Sequence, residues 1–308
     1  MSAKFSIVLP TLNRRPMLLE ALASIQAQHY PRVEIIVVDG GSTDGTLELL
    51  RERPDIVLVR DADRGVYDGF NQGLAAATGD IVGFLNSDDV YEPGAFAAVG
   101  RAFTENPDAD AACGTALLEA DDRLLAVFDA EADKTLTEPR TIFIGNCIIN
   151  ARFFRRPALA QIGGFDLEYR YVSDRDWLAR CYSRSIRTVA VPGLVYRYRS
   201  HAGSLTFSAN PDRKLGIRED LLRLARNWRD RPSLPSGIEP VLRLLEGRCL
   251  ATLIAAALRR RDFGKALRLI FQDRHGYSHR PLAAIVLGGF DVIIQRIRGV
   301  VPHGAHAR

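Results

Sequence analysis

Three short stretches of the 308-residue chain carry side chains whose types and spacing could do chemistry. The first is FLNSDD, residues 84–89, where the apolar run DIVGFL stops at the adjacent carboxylates Asp88 and Asp89. Two carboxylates held close together repel, and each raises the other's pKa. A divalent cation removes that repulsion. Mg2+ or Mn2+ takes oxygen ligands, often one or two carboxylates with substrate phosphates completing the set. Plain exposure in an acidic turn removes the repulsion equally well. The second stretch is VVDGGSTDGT, residues 37–46. Asp39 ends an apolar run, Gly40 and Gly41 permit close backbone approach, and Ser42 or Asp44 can cap a following helix. A carboxylate there accepts hydrogen bonds from the ribose or base of a nucleotide, or closes an Asx-type turn of its own. The third is SDRDW, residues 173–177. Side chains two apart do not share a helix face, so Asp174 and Asp176 take different tasks. Asp174 toward a cleft is a general base, with Asp176 a cap or brace; helix N-termini favour carboxylates in any case. Arg199 and His201 follow in a polar loop, where a diphosphate can accept their hydrogen bonds.

The elements that must position these groups are legible from hydrophobic period. FSIVLP (5–10), VEIIVVD (33–39), DIVLVR (55–60) and DIVGFL (80–85) read as buried strands. Between and after them, residues 15–28, 40–53, 65–77 and 92–106 have helical period. Strands apolar throughout, alternating with helices, predict an α/β domain whose mainly parallel central sheet has helices on both faces. Ligands bind such sheets outside the carboxyl ends of the strands. That rim collects Thr11, Asn13 and Arg14, then Asp39, then Asp61, Asp63 and Arg64, then Asn86, Asp88 and Asp89. Neither GxGxxG nor GxxxxGK[ST] is present, so the dinucleotide and P-loop fingerprints are absent. Farther along, the sequence predicts a hairpin around Asp121-Asp122, a strand within 141–156, a turn at GGFD (163–166), a helix over 173–182 and a strand over 186–191. Helical period returns over 217–230, over 240–271 with a break at Asp262–Gly264, and over 281–299.

Composition bounds the classes. Charged residues are 25% and hydrophobic residues 47%, ordinary for a soluble globule. Cys113, Cys147, Cys181 and Cys249 lie far apart with no CxxC, so no disulfide scaffold or zinc knuckle is signalled and a reducing compartment fits. The N-terminal apolar run is too short for a secretory leader. Residues 201–308 carry 19 Lys+Arg against 9 Asp+Glu, a net +10, whereas residues 1–200 carry 22 against 28, a net −6. A basic tail suits nucleic acid or an anionic membrane, but no aromatic–basic interleaving or zinc-finger spacing supports nucleic acid. The run at 281–299 contains Asp291 and the pair Gly288-Gly289, so it reads as a packed or interfacial helix and not a span.

FSIVLPTLNR, EIIVVDGGSTDGT, DRGVYDGFNQGLAAATGDIVGFLNSDD, GGFD and SDRDWLAR, in that order, resemble the family 2 nucleotide-sugar glycosyltransferases over roughly residues 4–205. Their style is that of bacterial transferases building exopolysaccharide, colanic-acid-like or lipopolysaccharide chains. The resemblance implies a GT-A domain over 1–210, with a nucleotide-binding half to about 110 and an acceptor half from about 111, followed by a basic helical extension over 211–308. It implies an inverting, metal-dependent transfer from a nucleoside-diphosphate sugar, UDP foremost, to a hydroxyl of a glycan or lipid-linked acceptor, with Mn2+ or Mg2+ as cofactor. Pro10, Thr11 and Asn13 would lie near the nucleotide, Asp39 at the uracil or ribose, and Asp63 near the base with Arg64 beside it. Asn86-Ser87-Asp88-Asp89 matches the variable DxD element, with Asn86 in the first acidic place. Asp88 would then face ribose and diphosphate, and Asp89 would hold the metal. Ser173-Asp174 matches the ED pair, making Asp174 the base and Asp176 its rival, and His201 matches a late loop histidine. The expected location is cytoplasmic or peripheral on the inner face of the cell membrane. The C-terminal helices would meet an anionic membrane or a second copy of the chain, and nucleic acid is no partner. The alternatives are a nucleotidyltransferase of sugar phosphates and a non-catalytic sugar-nucleotide-binding protein.

Overall fold

The structure, a computed structural model, describes residues 2–60, 64–120, 123–129, 138–145, 148–201, 203–204 and 210–271. The chain divides into two compact units, Met1–Ala209 and Asn210–Arg308. In the first, the apolar runs form the parallel strands β1 (Phe5–Thr11), β2 (Val33–Asp39), β3 (Ile56–Arg60) and β4 (Ile81–Phe84), in the order β3-β2-β1-β4. All seven residues of β1 are buried, as a strand covered on both faces requires. The β1–β2 register pairs Phe5 with Val33 and Thr11 with Asp39, so these two polar residues end their strands side by side.

The helices α1 (Arg15–Gln26), α2 (Thr46–Arg51), α3 (Val66–Ala76) and α4 (Ala95–Glu105) connect these strands and follow them. Close seating of α3 on β1 depends on missing side chains. A Cβ at Gly73 would lie 2.1 Å from Val8 Cγ1, and one at Gly69 would lie 2.7 Å from Pro10 Cβ. Pro10 is therefore buried against α3.

Beyond β4 the sheet is mixed. The strands β6 (Ala111–Ala120), β7 (Arg123–Phe128), β8 (Arg152–Arg155) and β9 (Thr188–Arg199) follow the two-residue β5 (Val90–Tyr91). β8 runs antiparallel to β4, β6 antiparallel to β8, and β9 parallel to β6. Two reversals restore direction, so β9 ends on the rim where β1–β4 end. The β6–β7 hairpin is the predicted one, its Asp121-Asp122 turn lying outside the described residues. The strand within 141–156 occupies only its last third, because Pro139–Phe143 forms the short helix α5. The short helix α6 (Arg156–Ile162) was not expected, whereas α7 (Ser173–Ser183) was. Two aromatic clusters fill the core. Phe5 stacks on Phe96 at 5.1 Å on one face, and Phe165 stacks on Trp177 at 5.4 Å on the other.

The second unit is helical as read: α8 (Pro211–Arg229), α9 (Ile238–Arg259) and α10 (Phe263–Phe271), with the break at Arg260–Asp262. Asn210 caps α8 by accepting from Asp212 N and Arg213 N. Buried Glu246 accepts from Arg226 and Arg229, and Trp228 is fully buried. The predicted helix at 281–299 lies outside the described residues. Among the described residues no helix is long and apolar enough to cross a membrane.

Candidate functional site

Parallel strands leave their carboxyl ends on one rim, and the loops after β1 and β2 are stitched together there. Asn13 N donates to Ser42 Oγ at 2.9 Å, Thr43 N to Asn13 Oδ1 at 2.8 Å, and Arg15 N to Asp44 Oδ2 at 3.0 Å. Asp44 thus serves two helix starts, because its Oδ1 also accepts from Thr46 N at 3.1 Å. The two carboxylate oxygens of Asp39 differ in their surroundings. Its Oδ1 closes a turn by accepting from Gly41 N and Ser42 N. Its Oδ2 and the neighbouring Thr11 Oγ1 are buried with no hydrogen-bond partner among the described residues. An unmet buried acceptor costs about 1–3 kcal/mol, a cost that a water or a ligand donor removes. Asp63 lies outside the described residues. Arg64 is largely exposed at the start of α3, its fork held by buried Asp68 at 2.9 and 3.2 Å.

FLNSDD splits its two carboxylates between inside and outside. Asp89 is 0% exposed. Its Oδ1 accepts from Arg199 N at 2.8 Å, and its Oδ2 accepts from Tyr196 OH at 2.6 Å and Asn86 Nδ2 at 2.9 Å. Burial, and then the charge of Asp88, push its pKa up to about 7 against the pull of those three donors. A carboxylate enclosed this way braces the loop that carries Asp88. Asn86 is one of its props. Asp88 stands on the open side instead, its Oδ2 receiving Arg14 Nη1 and lying 2.9 Å from His201 Nε2.

The return of β9 to this rim brings His201 to Asp88 across 113 residues of sequence. Gly203 N donates to His201 Nδ1 at 3.1 Å. That bond leaves Nδ1 without a proton, so the neutral ring carries its proton on Nε2, a donor to an anion. Arg14 reaches the same loop through Nη2 to Gly203 O at 3.3 Å. Arg199 donates through Nε to the Asp88 carbonyl and through Nη1 to Glu20, while its buried Nη2 has no hydrogen-bond partner among the described residues. Among the described residues no three carboxylate, imidazole or thiol groups cluster closely enough to hold a metal by themselves. The hard oxygens of Asp88 do fit Mn2+ or Mg2+, provided that a phosphate-bearing ligand supplies the remaining oxygens.

Asp174 and Asp176 part in the same manner. Asp176 is 2% exposed and ion-paired with Arg180 at 2.8 Å. Arg180 in turn binds the carbonyls of Ile162 and Gly164. Asp176 therefore braces α7 against the GGFD turn. Asp174 is half-buried. Its Oδ1 accepts from Tyr67 OH at 3.0 Å and Arg175 N at 2.9 Å. Burial pushes its pKa up, while the Arg175 charge and the Tyr67 bond pull it down. Tyr67 sits in the first turn of α3, just past β3, which puts Asp174 on the same rim. Asn71, one turn on, exchanges two hydrogen bonds with Phe165 and fixes GGFD against α3.

Arg14, Tyr67 and Tyr196 are the rim residues that sequence reasoning passed over as site members. Arg14 was visible only as one polar residue of a loop. Tyr67 and Tyr196 read as core aromatics, since the partners that give them meaning lie 107 residues away in each case.

The family described as glycosyl transferase family 2 matches residues 6–163 of the chain. A "PGL/p-HBAD biosynthesis glycosyltransferase" of Mycobacterium bovis is 36% identical over 203 residues, which are 63% of this chain and 73% of that protein. The Staphylococcus aureus TarS 1–349 structure in complex with UDP-GlcNAc superposes with a TM-score of 0.62 at 18% identity, covering 86% of this chain and 90% of that one. The Pyrobaculum calidifontis mannosyltransferase PcManGT with GDP-Man and Mn2+ superposes with a TM-score of 0.57 at 19% identity, covering 96% and 88%. These likenesses place the fold among the GT-A transferases.

Proposed function

This chain belongs to glycosyl transferase family 2, and from that premise we propose that it transfers a sugar from a nucleoside diphosphate, UDP foremost, to a hydroxyl of a glycan or lipid-linked acceptor, inverting the anomeric centre with the help of Mn2+ or Mg2+. The observation that carries the reading is the meeting of Asp88, Arg14 and His201, from three distant segments, at the mouth of β4. In favour of a sugar-nucleotide donor, the structural neighbours include complexes with UDP-GlcNAc and with GDP-Man and Mn2+.

In this reading the unmet Asp39 Oδ2 and Thr11 Oγ1 take hydrogen bonds from the base or ribose. Asn13 holds the loop in place through Ser42 and Thr43, and Arg64, paired with Asp68, stays largely exposed at the start of α3. Asp88 takes the metal-facing role, and Asp89 holds the loop that presents it. When bound, the cation would neutralise charge gathering on the leaving diphosphate. His201 Nε2–H and the Arg14 guanidinium, both held by Asp88 until the donor binds, then turn to that same diphosphate. Asp174, with Oδ1 tied by Tyr67 and Arg175 N, keeps Oδ2 for the acceptor proton. Attack from the face opposite the leaving group inverts the centre in one displacement, so no covalent sugar–enzyme intermediate forms. Residues to about 110 would bind the nucleotide and residues from about 111 to 210 the acceptor. The surface-polysaccharide role and the peripheral location at the inner membrane face belong to the same proposal.

The test is a donor screen by calorimetry and by nucleotide release, covering UDP-, GDP- and dTDP-sugars with Mn2+ or Mg2+. At least one sugar nucleotide should bind and turn over. In Asp88→Asn, metal-dependent donor binding should fall steeply while the melting temperature stays put. A folded chain that binds no sugar nucleotide refutes the proposal.

A further inference from the structure

Helix α10 has a wider apolar face than its packing uses. At about 100° per residue, Leu269, Ala266, Ile270, Phe263, Leu267 and Phe271 form one continuous arc. Ala266 is buried against the unit, with Leu269 and Ile270 half-buried. The other half of the arc faces outward: Phe263 is 62% exposed, Leu267 54% and Phe271 77%. Three large apolar side chains spaced four apart on one face are the pattern of a helix that lies on another surface.

The border of that stripe is cationic. Arg268 flanks it, and the exposed run Arg259-Arg260-Arg261 precedes it, next to exposed Leu258. Arg260 reaches Asp212 at 2.5 Å and Lys265 reaches Glu219 at 2.7 Å, while Asp262 caps α10 through Lys265 N. Both ion pairs are exposed, so both bind weakly. Residues 258–271 carry five cations against the single carboxylate of Asp262. An apolar stripe edged by arginines matches the chemistry of an anionic bilayer, with hydrocarbon below and phosphate headgroups at the edges. A protein partner would need a complementary apolar and acidic face, whereas the lipid surface supplies both at once.

We infer that the outward side of α10 is a membrane-contact surface, in which Phe263, Leu267 and Phe271 enter the interface of an anionic bilayer while Arg261 and Arg268 hold its phosphates. This deepens the peripheral membrane location proposed above by naming the surface that makes it, and it does not depend on the transfer reaction. The test uses the full chain and co-sedimentation with vesicles of phosphatidylcholine alone or mixed with phosphatidylglycerol. The wild type binds the mixed vesicles and loses affinity as salt rises. Phe263→Ser with Phe271→Ser lowers affinity about tenfold or more. Arg261→Gln with Arg268→Gln lowers it about 30-fold, at about fivefold per arginine. All four positions are exposed, and far-UV circular dichroism confirms that each variant keeps its helix content. Three results overturn the inference. One is a wild type that ignores mixed vesicles. Another is a pair of variants that bind within about twofold of it, since the cited terms demand far more. The third is a wild-type dimer, by light scattering, that the phenylalanine variant turns into a monomer, because the stripe would then meet a second copy.

Discussion

Replacing Asp89 with alanine should destabilise the first unit strongly at pH 5 and much less at pH 8. The carboxylate satisfies three donors, of which Tyr196 OH is fully buried and Arg199 N half-buried. Stranding those two costs about 1–3 kcal/mol each; Asn86 is half-buried and can turn to water. Working against this loss is the burden of the charge itself. The pKa rises from 3.8 to about 7 on folding. Between those values the folded state holds more protons than the unfolded one, so wild-type stability falls as pH rises through this window. Above pH 7 the accumulated burden is a few kcal/mol, at 1.36 kcal/mol per unit. The alanine variant carries none of it. From pH 5 to pH 8 its deficit against wild type should therefore shrink by about 3 kcal/mol. Urea denaturation at pH 5, 6, 7 and 8 measures this directly. A deficit constant across that range would mean that Asp89 titrates like an exposed carboxylate, and the division between the two acids of FLNSDD would fail.

Tyr67→Phe removes a bond that favours ionised Asp174, so the acidic limb of the pH–rate profile should move upward, and an unmoved limb contradicts the pairing. Asp176→Asn breaks the pair with Arg180 and should lower stability by about 3 kcal/mol, seen as a lower melting temperature with pH–rate profile unchanged. Gly73→Ala forces a Cβ into Val8 and should cost about 1–3 kcal/mol by overpacking, read in the same melts.

What the sequence could reveal depended on range. β2 could be bounded at Val33 and Asp39 because its apolar run and its turn chemistry are local. The break near Asp262 showed for the same reason. The order of acidic loops along the rim followed from strand direction alone. The choice between Asp88 and Asp89 could not be read locally, since adjacent residues of one turn are chemically alike. The enclosure that sets Asp89 apart comes from Tyr196 and Arg199, which arrive on β9 more than a hundred residues later. Asp174 and Asp176 were separable as facing different ways, but only Tyr67 and Arg180 show which way each faces. The seat of α3 was hidden because what Gly69 and Gly73 lie against, Pro10 and Val8, is more than fifty residues away in sequence.

The central claim, a sugar-nucleotide transferase with Asp174 as its base, is tested most directly by Asp174→Asn assayed beside the wild type for donor binding and for sugar transfer. The account predicts unchanged donor affinity, with transfer reduced about 10²- to 10⁴-fold. Transfer at the wild-type rate by the variant would contradict it.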